Sequence, residues 1–214
     1  MKNKTLALIA IGLIAATSLT SCLVKADYTT APAYNNNTYY NVYDEEFNTD
    51  DPGWSFTDSR DSAYGDVAQG TYELVNYSRT RGQLVAVNTG ANMQYDFSVQ
   101  TKMQSNNTMA MVFGASSADN GYALYIDNQG YFALYNEGSA YYAPNTVIDW
   151  TFNNTIIKGG WNNVQIVQYG NYWIGYINGT QVFKIPSQVL YGSQCGFKVL
   201  PGTTGYADYL EVKW

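Results

Sequence analysis

Met93-Gln94-Tyr95-Asp96-Phe97-Ser98-Val99-Gln100-Thr101-Lys102-Met103-Gln104 is the stretch that decides the fold. Met93, Tyr95, Phe97, Val99 and Met103 fall on one face of an extended chain. Gln94, Asp96, Ser98, Gln100, Lys102 and Gln104 fall on the other. Alternate side chains of a strand point to opposite faces, so the pattern predicts a strand with one dry and one wet side. Alternation this clean favours an antiparallel sheet, because strands of parallel sheets are covered on both faces.

The same period of two runs outward from this segment through residues 42–214, where helical periodicity is nearly missing. Tyr122–Ile126 and Tyr131–Tyr135 flank the turn Asp127-Asn128-Gln129-Gly130. Asn163–Tyr169 and Tyr172–Ile177 flank Gly170-Asn171. Tyr172–Ile177 and Thr180–Ile185 flank Asn178-Gly179. Asn-Gly tolerates the positive φ values of a type I′ turn, whose twist matches the flanking strands. Further strands are expected at 42–48, 71–77, 82–87, 108–115, 195–200 and 205–213. About a dozen half-apolar strands are most readily buried by packing two sheets face to face. The prediction is an all-β, antiparallel two-sheet sandwich in one domain.

Composition bounds the function. The chain has 214 residues, 46% hydrophobic and 16% aromatic, with 21 tyrosines, which is enough apolar material for a core. Lys+Arg is 11 against Asp+Glu 17, so the overall field does not draw in a phosphate backbone, and nucleic acid is not an expected partner. Histidine is absent, which excludes Ser-His-Asp and Cys-His catalysis and His-ligated zinc. No phosphate-cradling glycine loop and no Cys-x-x-Cys pair occurs.

Residues 1–21 read as an address. Lys2 and Lys4 precede an apolar run from Leu6 to Ala16, too short for the roughly 20 residues of a membrane-spanning helix. Leu19-Thr20-Ser21-Cys22 resembles the bacterial lipobox, which implies removal of 1–21 and lipidation of Cys22. Residues 22–41 show no period and read as a tether with a reach of about 25 Å. The expected location is the bacterial cell envelope, lipid-anchored; the absence of Asp after Cys22 resembles sorting to the outer membrane. Cys195, in Cys-Gly-Phe-Lys-Val, then has no disulfide partner and reads as a small buried hydrophobe.

The order of features resembles the concanavalin A-like lectin/glucanase superfamily, in its laminin-G-like and 3-keto-disaccharide hydrolase-like branches. The residues that carry the likeness are Phe47 and Trp54, then Gly121-Tyr122-Ala123-Leu124-Tyr125-Ile126 and Gly130-Tyr131-Phe132-Ala133-Leu134. Trp161-Asn162-Asn163-Val164-Gln165-Ile166 and Tyr176-Ile177-Asn178-Gly179 follow, with Cys195-Gly196-Phe197 and Ala207-Asp208-Tyr209-Leu210-Glu211-Val212 at the end. The resemblance spans roughly 42–214. It implies a jelly-roll sandwich whose first and last strands lie side by side. It transfers no catalytic residue: the Glu-x-Asp-x-x-Glu pattern of family 16 glycoside hydrolases begins at none of Glu45, Glu46, Glu73, Glu137 or Glu211.

Candidate ligand-binding residues are the aromatics, since sugar rings pack their C–H faces on aromatic rings. Trp173, Tyr176 and Tyr172 crowd one hairpin. Tyr141, Tyr142 and Trp150 lie in or after a turn-rich stretch, where sandwiches carry recognition. Asp208 shares a face with Tyr206, Leu210, Val212 and Trp214 if the last strand is regular, and a lone carboxylate there is costly to bury. With Asp50 and Asp51, and Asp44 nearby, it forms a candidate site for calcium, which takes six to eight oxygens. Three functions follow. The first is a surface-tethered, non-catalytic module binding a glycan or cell-surface polysaccharide. The second is a carbohydrate-active hydrolase, and the third a structural envelope protein that binds another protein.

Overall fold

A computed structural model of the chain describes residues 39–49, 53–60, 62–117, 120–138 and 144–214. Cys22 and the lipobox, Asp50, Asp51, Tyr141 and Tyr142 lie outside the described residues. The strands are β1 (Val42–Glu45), β2 (Phe56–Asp58), β3 (Ala63–Ala68), β4 (Thr71–Asn76), β5 (Gln83–Asn88), β6 (Phe97–Ser105), β7 (Thr108–Ala115) and β8 (Tyr122–Asp127). They continue with β9 (Tyr131–Asn136), β10 (Asn145–Phe152), β11 (Asn162–Tyr169), β12 (Tyr172–Ile177), β13 (Thr180–Pro186), β14 (Gln194–Val199) and β15 (Thr203–Lys213). All pairings are antiparallel. A nine-stranded sheet runs β13-β12-β11-β6-β15-β4-β3-β2, with β1 also on β15, and a six-stranded sheet runs β10-β9-β8-β7-β14-β5. The expected all-β, two-sheet sandwich is therefore what the chain forms.

First and last strands do lie side by side: Val42 pairs with Lys213 and Glu45 with Leu210. β4 takes the first half of one edge of β15, and β1 takes the second half. Tyr40 and Asn41, expected in the tether, already belong to this pairing, since both backbone N–H groups donate to the Trp214 carbonyl at 3.1 Å. The Asn178-Gly179 turn joins β12 to β13 with φ of 50° and 77°, as a type I′ hairpin requires.

The core is the space between the sheets. Phe97, Val99 and Met103 of β6, Val164 and Ile166 of β11, and Leu210 and Val212 of β15 face Met109, Met111, Phe113, Leu124, Phe132 and Phe197 of the smaller sheet. Each fully buried side chain of this kind contributes roughly 1.5–3 kcal/mol. At one end Phe47, Trp54, Tyr72 and Phe197 form an aromatic cluster. Phe47 lies edge-on to Trp54 with centroids 5.2 Å apart. Buried Glu45 serves this cluster, accepting from the Phe47 backbone N–H at 2.8 Å and the Trp54 indole at 3.2 Å.

Two sequence expectations shift. β6 starts at Phe97, so Met93–Asp96 form a turn rather than the first half of a strand. Tyr95 is 71% exposed there instead of facing the core. In β15 a bulge lies between Ala207, opposite Met103, and Tyr209, opposite Lys102. One extra residue reverses the in-out phase. Ala207 and Leu210 both point inward, and Asp208 leaves the apolar face on which strict alternation had put it. The Tyr209 carbonyl inside the bulge is satisfied by the Thr101 hydroxyl.

Candidate functional site

Three loops converge at one end of the sandwich. They are residues 89–96 before β6, the Gly170-Asn171 turn between β11 and β12, and residues 187–193 before β14. Tyr39, Tyr40, Asn41 and Trp214 close a further side. Between them lie two joined clefts of about 810 and 630 Å³ that share Asn92, Gln94, Gln168, Gly170 and Asn171. These volumes fall in the range of ligand sites, about 300–1,000 Å³.

The loops are tied by their own side chains. Gln168 forms the floor. Its Nε2 donates to the Tyr95 carbonyl at 2.9 Å, and its Oε1 accepts from the Trp173 indole at 2.9 Å. Asp96 Oδ1 accepts the Gly170 backbone N–H at 2.7 Å, which fixes the hairpin tip against the 89–96 loop. The Thr89 hydroxyl donates to the Ser193 carbonyl at 2.8 Å, and the Ser193 hydroxyl donates to Asn88 Oδ1 at 3.0 Å. The Ser187 N–H donates to the Asn171 carbonyl at 2.9 Å, and the Tyr122 hydroxyl holds the Val189 carbonyl at 3.1 Å. These bonds hold the three loops to one another and to the sheets behind them. The side-chain amides of Asn41, Gln94 and Asn171 make no hydrogen bond among the described residues, and all three are exposed. Tyr40 is 87% and Tyr95 71% exposed beside them. The result is an open surface of amides that can both donate and accept, with tyrosine rings at hand.

The residues singled out in the sequence are placed differently. Trp173 is not a surface platform. It is fully buried, lying edge-on to Tyr122 at 4.6 Å and to Phe113 at 5.1 Å. Its strand has apolar residues on both faces, and the face carrying Trp173 and Ile177 turned out to be the inner one. Gly175 on that face leaves room for Phe183, whose ring would lie 2.2 Å from an added Cβ. Tyr172 is exposed and follows Asn171 directly, but the Lys184 ammonium sits 4.5 Å from its ring centroid. Tyr176 is half-buried on the outer face of the larger sheet, opposite Gln165 and Gln181. Burial raises its hydroxyl pKa.

Trp150 stands on β10, away from the cleft, with its ring 6.0 Å from Tyr125 on the outer face of the smaller sheet. There Leu84, Ala110, Val112, Ala123 and Ala133 form a second apolar cluster. The Tyr125 hydroxyl donates to Glu137 Oε1, and Glu137 pairs with Lys198. The metal reading of Asp208 changes as well. The bulge turns Asp208 outward to Lys102, with Nζ–Oδ2 at 2.8 Å. Asp44 faces Glu211 across β1 and β15, and its carboxyl is raised first by burial and then by Glu211 and Glu46. Among the described residues no three His, Cys, Asp or Glu side chains converge to hold a metal ion. Cys195 is buried and unpaired with another cysteine among the described residues, and burial pushes its thiol up to about 12.

The cleft residues are the ones sequence reading missed. Apart from Gln168, near the end of β11, most sit in turns and chain ends, which carry no periodicity, and only the topology gathers them. A signal existed: the turns at 88–96 and 168–171 are rich in Asn and Gln.

No protein-family model matches the chain, and no curated protein matches it in sequence. Solved structures similar to it include carbohydrate-binding module CBM66 from Bacillus subtilis. That match has 14% identity over 72% of this chain and 88% of that one, at a TM-score of 0.45. A protein of Parabacteroides distasonis, assigned provisionally as a glycosyl hydrolase, is 10% identical over 69% of this chain and 88% of that one, at 0.47. Galectin LEC-6 of Caenorhabditis elegans is 10% identical over 65% of this chain and 94% of that one, at 0.42. Likenesses at this level say nothing about a ligand.

Proposed function

We propose that the protein is a lipid-tethered, non-catalytic carbohydrate-binding module of the bacterial envelope that takes a glycan in the cleft at the end of the sandwich. One observation carries the reading. The amides of Asn41, Gln94 and Asn171, unpaired among the described residues, and the exposed rings of Tyr40 and Tyr95 line one open cleft. Sugar hydroxyls both donate and accept, as side-chain amides do, and aromatic rings pack against sugar C–H faces. Hydrolysis of a glycosidic bond uses two carboxylates flanking it, and the described cleft residues supply one, Asp96. The lipid on Cys22 would hold the domain where polysaccharide arrives.

A glycan array probed with the full chain, Tyr95→Ala and Asn171→Ala tests this. Each substitution is expected to weaken binding about ten-fold, the size of one lost stacking or hydrogen-bonding contact. Both sites are exposed, so the melting temperature is expected to hold. Binding that is unchanged in both variants removes the cleft as the site. Absence of any bound glycan moves the reading to a protein-binding envelope component.

A further inference from the structure

The charge and length of the cleft narrow the ligand, on the premise that the cleft is a glycan site. No lysine or arginine is among the described residues lining either lobe. The one acidic side chain among the described lining residues is Asp96. One of its oxygens is taken by the Gly170 N–H, and the other has no hydrogen bond among the described residues. A carboxylate accepts only, so that oxygen suits a hydroxyl donor and repels an anion. Two unit charges 4 Å apart differ by about 1 kcal/mol even in bulk water, a several-fold change in affinity. Lys184 is stacked on Tyr172, Lys213 is paired with Glu211 at 2.8 Å, and neither lines either lobe.

Length follows from the joining of the lobes. Each alone has the volume of a site for a ligand of drug size. They share Asn92, Gln94, Gln168, Gly170 and Asn171, so one ligand passing over Asn171 meets both. We infer that the cleft selects uncharged oligosaccharide segments of at least two rings and turns away glycans that carry uronate, sialate or sulfate groups. Affinity depends on contacts made in both lobes, and selectivity rests on the unpaired oxygen of Asp96, which no cation among the described lining residues offsets.

Calorimetric titration of the full chain tests this with neutral gluco-, manno- and galacto-oligosaccharides from a single ring upward, and with oligouronate and sulfated counterparts. Affinity is expected to rise at least ten-fold between one ring and the length that fills both lobes. Acidic counterparts are expected to bind several-fold more weakly at low salt. Asp96→Asn keeps an oxygen for the Gly170 N–H and removes the charge, so the gap between neutral and acidic ligands should narrow. Asn171→Ala should flatten the dependence on length. Affinity independent of length, or acidic ligands bound as tightly as neutral ones, overturns the inference while glycan binding stands. A gap left unchanged by Asp96→Asn overturns the role of that charge. No binding of either kind removes the glycan reading itself.

Discussion

The indole N–H of Trp173 donates to the side-chain oxygen of Gln168 at 2.9 Å, and the same amide holds the Tyr95 carbonyl from its other side. A core residue thereby fixes the floor of the cleft from behind. Trp173→Phe keeps an aromatic ring but removes the donor, leaving a buried acceptor unpaired and a small void. The two effects together should cost about 2–4 kcal/mol. The urea midpoint should fall accordingly, and glycan affinity should drop because the Tyr95 loop loses its anchor. A midpoint equal to that of the parent would show that the indole bond carries no weight.

Lys198 and Glu137 pair on the outer face of the smaller sheet with side chains only 18% and 7% exposed, and Tyr125 donates to the same carboxylate. Removing one partner of a buried pair leaves an uncompensated charge, which is more damaging than removing both. Lys198→Met should lower stability by about 3 kcal/mol, and the double variant with Glu137→Gln should recover most of that loss. A double-mutant cycle in urea reads the coupling directly, and additive effects would contradict it.

How far the sequence reaches is clear from single residues. The Asn178-Gly179 turn was legible because its backbone demands positive φ, and side-chain alternation in β6 was legible from Phe97 onward. Asp208 was misread because a bulge is one added residue with no mark in the hydrophobic pattern. Trp173 was misread because Tyr172, Ile174 and Tyr176 are as apolar as Trp173 and Ile177, so the pattern does not say which face is inner. The cleft was illegible because Gln94, Asn171 and Ser193 are joined by the stacking of the sheets and not by spacing along the chain.

The outward turn of Asp208 has its own consequence. Its ion pair with Lys102 is more than a third exposed on both sides, and such pairs contribute about 0–1 kcal/mol. Asp208→Asn should therefore change stability by less than about 1 kcal/mol. A cation bound by this carboxylate would raise the melting temperature by mass action. Parent and variant should instead respond alike to added calcium. A calcium-dependent rise in melting temperature seen in the parent and lost in the variant would restore Asp208 as a ligand.

Alkali should unfold the protein through groups that the fold keeps protonated. Burial pushes Tyr122 up to about 12. Burial, with the Glu73 carboxylate that accepts its hydroxyl, does the same for Tyr64. Cys195 is likewise pushed up to about 12 by burial, and burial raises Tyr72 and Tyr125 as well. In the unfolded chain a thiol ionises near about 8.5 and a tyrosine near about 10. Above those values the unfolded state has released protons that the native state still holds. Stability then falls as pH rises, from full strength below about pH 8 and most steeply between about pH 10 and 12. The urea midpoint should be flat from neutrality to about pH 8 and then decline, with the share of tyrosinate absorbance that belongs to the buried rings appearing only together with unfolding. Cys195 should resist a thiol reagent at pH 8 until urea opens the fold. Tyrosinate absorbance that develops fully near pH 10 while the protein remains folded would mean these rings are not sealed as described.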